Sequence, residues 1–320
     1  LDDTNTRYAQ GGIAAVFREP DNFEKHIKDT LIAGDGCCDE GVVRMVVSEA
    51  PERIKDLIKL GVPFDKKEDG TYDLAKEGGH SEHRILHHKD KTGEAIQKTL
   101  MLRVRKDPNI EIFEQHFAIE LLTQHHLGEV VKKNYPGIKC YGAYVADLVN
   151  KKVIAFLSKV TIVATGGIGN VYLTTTNPEI ATGDGIAMVY RAKGTVENME
   201  FVQFHPTSLY DPGTRPSFLI TEALRGYGAV LKNMAGEDFM KRYDSRGSLA
   251  PRDIVTRAID NEMKIWGDDH VWLDCTHLSP EGLKDHFPNV FEHCIARGID
   301  ITKDKIPVVP VQHYSCGGIK

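Results

Sequence analysis

A chain of 320 residues, 41% hydrophobic and 27% charged, carries enough apolar surface for a substantial core and reads as one large or two intimately joined globular domains. Its formal net charge of -6 with no long basic run gives no support to nucleic-acid binding, and no apolar stretch approaches the ~20 residues that span a bilayer. Six scattered cysteines (Cys37, Cys38, Cys140, Cys275, Cys294, Cys316) include no Cys-x-x-Cys pair, so neither a zinc knuckle nor a disulfide framework is indicated, and a reducing cytoplasm fits best.

The segment from Asn5 to Ala15 holds the adjacent glycines Gly11 and Gly12, where the backbone can approach a planar group that a Cβ would hold off. Ala14 and Ala15 would let a helix pack tightly behind it; a plain tight turn is the bland alternative. Phe23, Ile27 and Leu31 recur at four-residue spacing, and Val42 to Val47 with Ile54, Leu57 and Ile58 continue a helical stripe punctuated by Pro51, so the region up to Gly61 is expected to be helical. From Asn109 to Thr165 short β-rich runs follow: Ile110 to Phe113, Ala118 to Leu122, Lys139 to Val149 and Lys152 to Val163, with a hairpin turn at Asn150-Lys151. Ile162 to Gly167 has the form of a buried strand ending in a glycine turn, the position at which α/β sheets bind ligands. Thr182-Gly183-Asp184-Gly185 reads as a turn capping a helix, with Asp184 available to a ribose or to the first helical amides. After about Glu200 the alternation gives way to loops rich in Pro, Gly and His, then a helix from Pro251 to about Trp266. The expected division is 1–198, a capping domain 199–313, and a return at 314–320, where Cys316 to Lys320 reads as a turn entering a strand. The chain opens at Leu1 without an initiator Met, and no Gly-x-Gly-x-x-Gly follows a strand, so it reads as a fragment whose pyrophosphate-binding element lies upstream.

Several side chains stand out for their chemistry, each with a plainer rival. Arg252, just after Pro251, should sit in the first turn of a helix and reach outward to a carboxylate; a salt bridge to Asp253 or Asp260 is the common alternative. Thr221 can donate its hydroxyl or simply cap a helix that has Glu222 in its first turn. Glu77 is either a buried partner for a cation or, beside Lys76, a solvated surface carboxylate. His205 and His313 are two of 14 histidines. No paired-carboxylate arrangement argues for a metal, and none is expected.

Five segments taken together carry a resemblance: Asn5 to Ala15, Glu77-Gly78-Gly79-His80-Ser81, Phe204-His205-Pro206-Thr207, Ala250-Pro251-Arg252-Asp253-Ile254-Val255 and His313-Tyr314-Ser315-Cys316-Gly317-Gly318. The chain resembles the fumarate reductase and succinate dehydrogenase flavoprotein superfamily over nearly its whole length, and within it the L-aspartate oxidase subfamily. The resemblance implies an α/β fold: an FAD-binding Rossmann-like domain, here partial, with an inserted α+β capping domain. It implies FAD contacts at Asn5, Thr6, Gln10, Gly11, Gly12, Phe117, Ala118, Thr165, Gly166 and Asp184. The flavin would be non-covalent, because Asn5 stands where the respiratory enzymes attach it to a histidine. It implies that His205, His313, Thr221 and Gln203 grip a dicarboxylate, and that Arg252 clamps it and passes a proton with Glu222 and Arg225 as relay. A guanidinium with a pKa above ~12 is a reluctant base, so physics by itself supports the clamp more firmly than the proton transfer. Glu77 replaces an aromatic residue of the respiratory enzymes, and a carboxylate there suits an ammonium-bearing substrate.

The implied reaction removes a hydride from the α-carbon of L-aspartate, giving iminosuccinate, with oxygen or fumarate as final acceptor; it is the first step of de novo NAD biosynthesis and implies product hand-over to quinolinate synthase. A soluble fumarate reductase is the alternative, and a non-catalytic relative the rival from another class, against which Arg252, His205 and His313 speak. Without the phosphate anchor at a helix N-terminus the isolated chain is expected to hold FAD weakly or not at all.

Overall fold

Asn22 and Asp39 each turn a side-chain oxygen back onto the amide three residues on, satisfying a donor that a helix start leaves orphaned, and each opens a helix: Phe23–Ala33 and Glu40–Leu60. The second ends at Gly61, left-handed at φ 107. It runs unbroken through Pro51, where punctuation was expected; Ala50 and Ile54, on either side of the proline, pack on one core despite the missing hydrogen bond. The computed structural model describes residues 3–133 and 135–320, so Leu1, Asp2 and Asn134 lie outside what is described.

The chain forms two compact units. The larger comprises Thr6–Lys106 and Phe204–Val311; the smaller comprises Leu1–Asn5, Asp107–Gln203 and Gln312–Lys320. This division differs from the one expected, because residues 6–106 cluster with the segment read as the capping domain. Long-range bonds within the larger unit tie them together, among them Val290 N–H to Asp90 Oδ2 (3.2 Å) and Gly78 N–H to Glu222 Oε1 (3.0 Å).

In the larger unit, no helix follows Gly12. A short strand Ile13–Ala14 pairs antiparallel with Ile85–Leu86, which also pairs with Leu74–Ala75. A Cβ on Gly12 would overlap the Leu86 carbonyl, so this glycine is required by the strand pairing itself. Ala15, Ile54, Val62, Phe64, Leu74 and Leu86 form the adjoining core.

The stretch expected to be loops after Glu200 contains a four-stranded sheet in the order Val202–Leu209, Ile306–Ser315, Val271–Asp274, Val230–Lys232. Pro206, which argued against a strand, lies in an edge strand, where a missing amide costs least. Leu273 faces Ile306 on one side and Leu231 on the other, all three fully buried. With Leu224, Phe239, Val255, Ile259 and Val290 they make the main core, to which the helix Arg252–Trp266 contributes one face.

The smaller unit is built on an antiparallel meander, His116–Thr123, Cys140–Asp147 and Lys152–Leu157. Its second turn falls at Asn150-Lys151, where Asp147 accepts from the amides of Val149 and Asn150. The helix Asp184–Arg191 packs on the first strand, and Val196–Glu197 pairs with Gly318–Ile319. One expected strand is absent and another is short: Ile110–Phe113 is irregular, and the run expected to reach Val163 stops at Leu157. Residues 162–167 have no regular structure, and Ile162 is 84% exposed rather than buried. Among the described residues no strand offers them a ladder, and a β-rich pattern without a neighbour does not make a sheet.

Leu231→Ala should lower stability by about 2–5 kcal/mol, since a fully buried side chain of the main core is truncated. Urea unfolding followed by circular dichroism measures it; a loss below ~1 kcal/mol would mean the site collapses around the cavity.

Candidate active site

Pro251 supplies an extended N-cap for the helix Arg252–Trp266, which places Arg252 at the first helical position, as expected. Its side chain turns to neither Asp253 nor Asp260. Asp253 pairs with Arg257 and Asp260 with Lys264, whereas Arg252 Nε donates to Glu222 Oε2 at 2.6 Å. Glu222 opens the short helix Glu222–Gly226, capped by Thr221, whose hydroxyl oxygen accepts from the Ala223 amide at 3.3 Å. The capping role open to Thr221 in the sequence is therefore realised.

Arg225, one turn on, is fully buried. Its Nη1 donates to the Ser248 carbonyl at 2.6 Å, and its Nη2 lies 3.7 Å from Glu222 Oε2. Arg252, Glu222 and Arg225, named together as clamp and relay, thus form one chain of contacts. Burial pushes the Glu222 carboxyl up, but Arg252 and Arg225, with the hydrogen bonds from Arg252 and the Gly78 amide, outweigh it and hold the group below its ordinary value. Burial lowers the Arg225 guanidinium.

Glu77 is not a solvated neighbour of Lys76, whose ammonium instead donates to the Ser81 carbonyl at 2.9 Å. Its carboxylate is turned inward, where a Cβ on Gly11 would stand 3.2 Å from Oε1, and it accepts from the Gly12 amide. Burial and the negative charge of Glu222 push its carboxyl above the ordinary value, against a weaker pull from Arg252, Gly12 and Arg225. Two carboxylates on one cluster are therefore driven in opposite directions, the pattern that separates acid and base roles.

His205 is buried in the edge strand. The Thr207 amide donates to its Nδ1 at 3.2 Å, so the neutral ring carries its proton on Nε2 as a donor. In the smaller unit, His313 Nδ1 meets Thr176 Oγ1 at 2.7 Å, and Gln203 Nε2 donates to the Tyr314 hydroxyl at 2.9 Å.

The expected cofactor residues divide between the units. In the larger one, Gln10 is buried beside Gly11, and its Oε1 has no hydrogen-bond partner among the described residues. Thr6 lies in the single turn Asn5–Tyr8. In the smaller one, Asn5 Nδ2 would stand 3.3 Å from a Cβ on Gly166, itself left-handed at φ 74. Ser315, which the sequence did not single out, has a buried hydroxyl unpartnered among the described residues and next to Gly167. Gly185 lets the helix Asp184–Arg191 close on Thr165, and Asp184 accepts from the Thr182 hydroxyl at 2.7 Å. Phe117 is half exposed on the first meander strand, next to Ala118. Orphaned buried polar atoms beside glycines fit a group that brings its own donors and acceptors, as FAD does. Gly12 is the exception, since its missing Cβ makes room for a strand. No group of three or more His, Cys, Asp or Glu among the described residues is placed to hold a metal.

Sequence reasoning missed one buried charge cluster. Arg84, fully buried, is bidentate to Asp21 (2.9 and 2.7 Å) and donates to Asp29 at 2.6 Å. No local pattern flags it, because Arg84, Ile85 and Leu86 are all buried and show no alternation.

A family model described as FAD binding domain matches residues 2–320. The chain is 49% identical over 326 residues to the chloroplastic L-aspartate oxidase of Oryza sativa subsp. japonica, covering 99% of this chain and 49% of that protein. It is 50% identical over 319 residues to the L-aspartate oxidase of Acinetobacter baylyi, covering 100% and 58%. A solved mutant of E. coli quinol fumarate reductase FrdA aligns with a TM-score of 0.89 at 31% identity, over 99% of this chain and 55% of that one. The chain spans about half the length of the curated relatives it matches.

The opposed carboxylates set a pH signature. Glu77, raised when folded, binds a proton more tightly in the native than in the unfolded state, so stability should rise as pH falls from neutral toward the ordinary carboxylate range. Glu222, lowered when folded, contributes stability above that range that is lost on further acidification. Glu77→Gln should raise the denaturation midpoint at neutral pH and flatten the first slope, as urea midpoints taken across that pH range would show; an unchanged slope would mean Glu77 is hydrated.

Proposed function

Because the chain belongs to the FAD binding domain family and FAD is its cofactor, we propose that it carries the substrate chemistry of an L-aspartate oxidase, converting L-aspartate to iminosuccinate as the first step of de novo NAD biosynthesis. The observation that carries this reading is Glu77: an inward-turned carboxylate to which, among the described residues, no ammonium or guanidinium is hydrogen-bonded, on the cluster that also holds Arg252. Succinate brings no charge for such a group; aspartate brings an ammonium. Pairing with it would offset the cost of the buried carboxylate and draw its raised pKa back down.

FAD would supply the hydride acceptor for the α-carbon, with oxygen or fumarate as final acceptor, and in the larger unit Gln10 and Gly11 would help to hold it non-covalently. Asn5 supports a non-covalent flavin, because a carboxamide is a poor nucleophile. Arg252, oriented by Glu222, supplies the planar cationic fork for a substrate carboxylate. His205 offers its Nε2 proton to a carboxylate oxygen without bringing a net charge. The ammonium must lose a proton before its nitrogen can form the C=N bond, and Arg252, Glu222 and Arg225 lie in contact order to carry it away. Thr221 is left the supporting role of orienting Glu222 from the cap. Six free cysteines support a reducing compartment, and the cytoplasm is proposed. Among the described residues no helix is long and apolar enough to cross a membrane. Hand-over to quinolinate synthase belongs to the same reading and has only the lability of an imine in water behind it.

Anaerobic titration of the flavin-loaded protein tests the class: the flavin band should bleach with L-aspartate and persist with succinate, and bleaching by succinate alone would favour a soluble fumarate reductase, which the fold likeness also suits. Arg252→Leu should lower turnover by orders of magnitude, and Arg252→Lys should restore it only in part, because an ammonium lacks the planar fork. Glu77→Gln should cost aspartate oxidation roughly 1.5–3 kcal/mol, or about one to two powers of ten in kcat/KM, while leaving fumarate reduction largely intact. An equal fall in both activities would remove Glu77 from the amine site.

A further inference from the structure

Glu77 stands at the head of a segment with no regular structure of its own until the strand at Ile85. A turn closes it, with the His80 amide donating to the Glu77 carbonyl at 3.2 Å and Gly79 left-handed at φ 84. Such a loop holds a carboxylate in place only if something outside it fixes its course. Two pins do so. On one side the Gly78 amide donates to Glu222 Oε1 at 3.0 Å, and a Cβ on Gly78 would overlap that oxygen, so only glycine permits the approach.

On the other side one oxygen, Asp29 Oδ2, accepts three hydrogen bonds: from the Ser81 amide (2.8 Å), the Ser81 hydroxyl (2.8 Å) and Arg84 Nη1 (2.6 Å). Asp29 belongs to the helix Phe23–Ala33, a rigid element, and Arg84 is locked from behind by its bidentate pair with the buried Asp21. Arg84 Nη2 also reaches Ser81 Oγ at 3.3 Å. A buried guanidinium with its donors committed to two carboxylates has one low-energy arrangement, so the loop's second pin is as fixed as the first.

We propose that Asp29 is a positioning residue for specificity: through Ser81 and Arg84 it sets where the Glu77 carboxylate stands, and so sets the preference for a dicarboxylate that bears an α-ammonium over one that does not. This rests on the reading that Glu77 meets the substrate ammonium. Asp29 touches no reacting atom; its effect is on the distance and angle at which Glu77 is presented, where a shift of about 1 Å can cost up to a hundredfold.

The test compares Asp29→Asn, Asp21→Asn and Glu77→Gln in the flavin-loaded protein. Each is assayed for aspartate oxidation and for fumarate reduction, with hydrogen exchange of the peptide spanning 77–84 measured on the same samples. Asp29→Asn should lower kcat/KM for aspartate roughly ten- to a hundredfold, mostly through KM, leave fumarate reduction unchanged, and speed exchange at residues 78–81. Asp21→Asn loosens Arg84 from behind but leaves the three bonds to Asp29 Oδ2 in place, so it should lower the melting temperature and shift the ratio of the two activities by much less than Asp29→Asn does. An unchanged ratio in Asp29→Asn, or an equal shift in Asp21→Asn, would overturn the proposal and reduce the cluster to a structural role. If Asp29→Asn folds poorly, Ser81→Ala removes only the hydroxyl contact and should shift the ratio in the same direction by less; no shift there counts against the proposal. An unaltered ratio in Glu77→Gln would instead sink the underlying reading of the amine site, which separates the two failures.

Discussion

The arrangement of the larger unit turns on one buried carboxylate. Glu222 has left water almost completely, and an ionised group in that position is tolerable only when opposite charge and hydrogen-bond donors replace its hydration. Arg252 comes from one helix, Arg225 from the next turn of its own, and the Gly78 amide from a loop 144 residues away in sequence. Removing any of them would leave a buried charge without compensation, so the three segments must converge. Their convergence also holds the Arg252 guanidinium in one orientation, which the proposed clamp would use.

The contrast with Glu77 shows that environment, not residue type, assigns the roles. Both side chains are glutamates on the same cluster and both are pushed up by burial. Glu222 receives a direct guanidinium hydrogen bond and ends below its ordinary value. Glu77 receives the Gly12 amide and a repulsive neighbour, and ends above. The second arrangement is unfavourable in the free protein, and it is the one that the proposed ammonium contact would relieve.

Glycines make this crowding possible, though not always in the place sequence suggests. Gly78 is needed so that an amide can reach Glu222, and Gly12 so that a strand can reach Leu86. Gly11 and Gly166 lie where the backbone meets polar side chains, Glu77 and Asn5. The Gly11-Gly12 pair reads in sequence as one feature with one purpose. In the fold its members divide the work, because only one of the two faces the neighbouring strand.

Local patterns determined much of this protein without help. The helices Phe23–Ala33 and Glu40–Leu60, the meander with its turn at Asn150-Lys151, the helix opening on Pro251-Arg252 and the one opening at Asp184 follow from periodicity, caps and turn residues that act within a few positions. Five short motifs were enough to name the superfamily. Tertiary structure decided the rest. The sheet after residue 200 escaped notice because one strand carries Pro206 and another has three residues, too few to show a period. Residues 162–167 have the composition of a strand and no neighbour to pair with, and pairing is not a property of one segment. Whether Glu77 was a surface carboxylate or a buried one, and whether Arg252 would take Asp253 or Glu222, could not be read locally. The partners competing for Arg252 lie one and eight residues away on one side and 30 on the other, and only the packed fold sets which of them is near and how much water remains between.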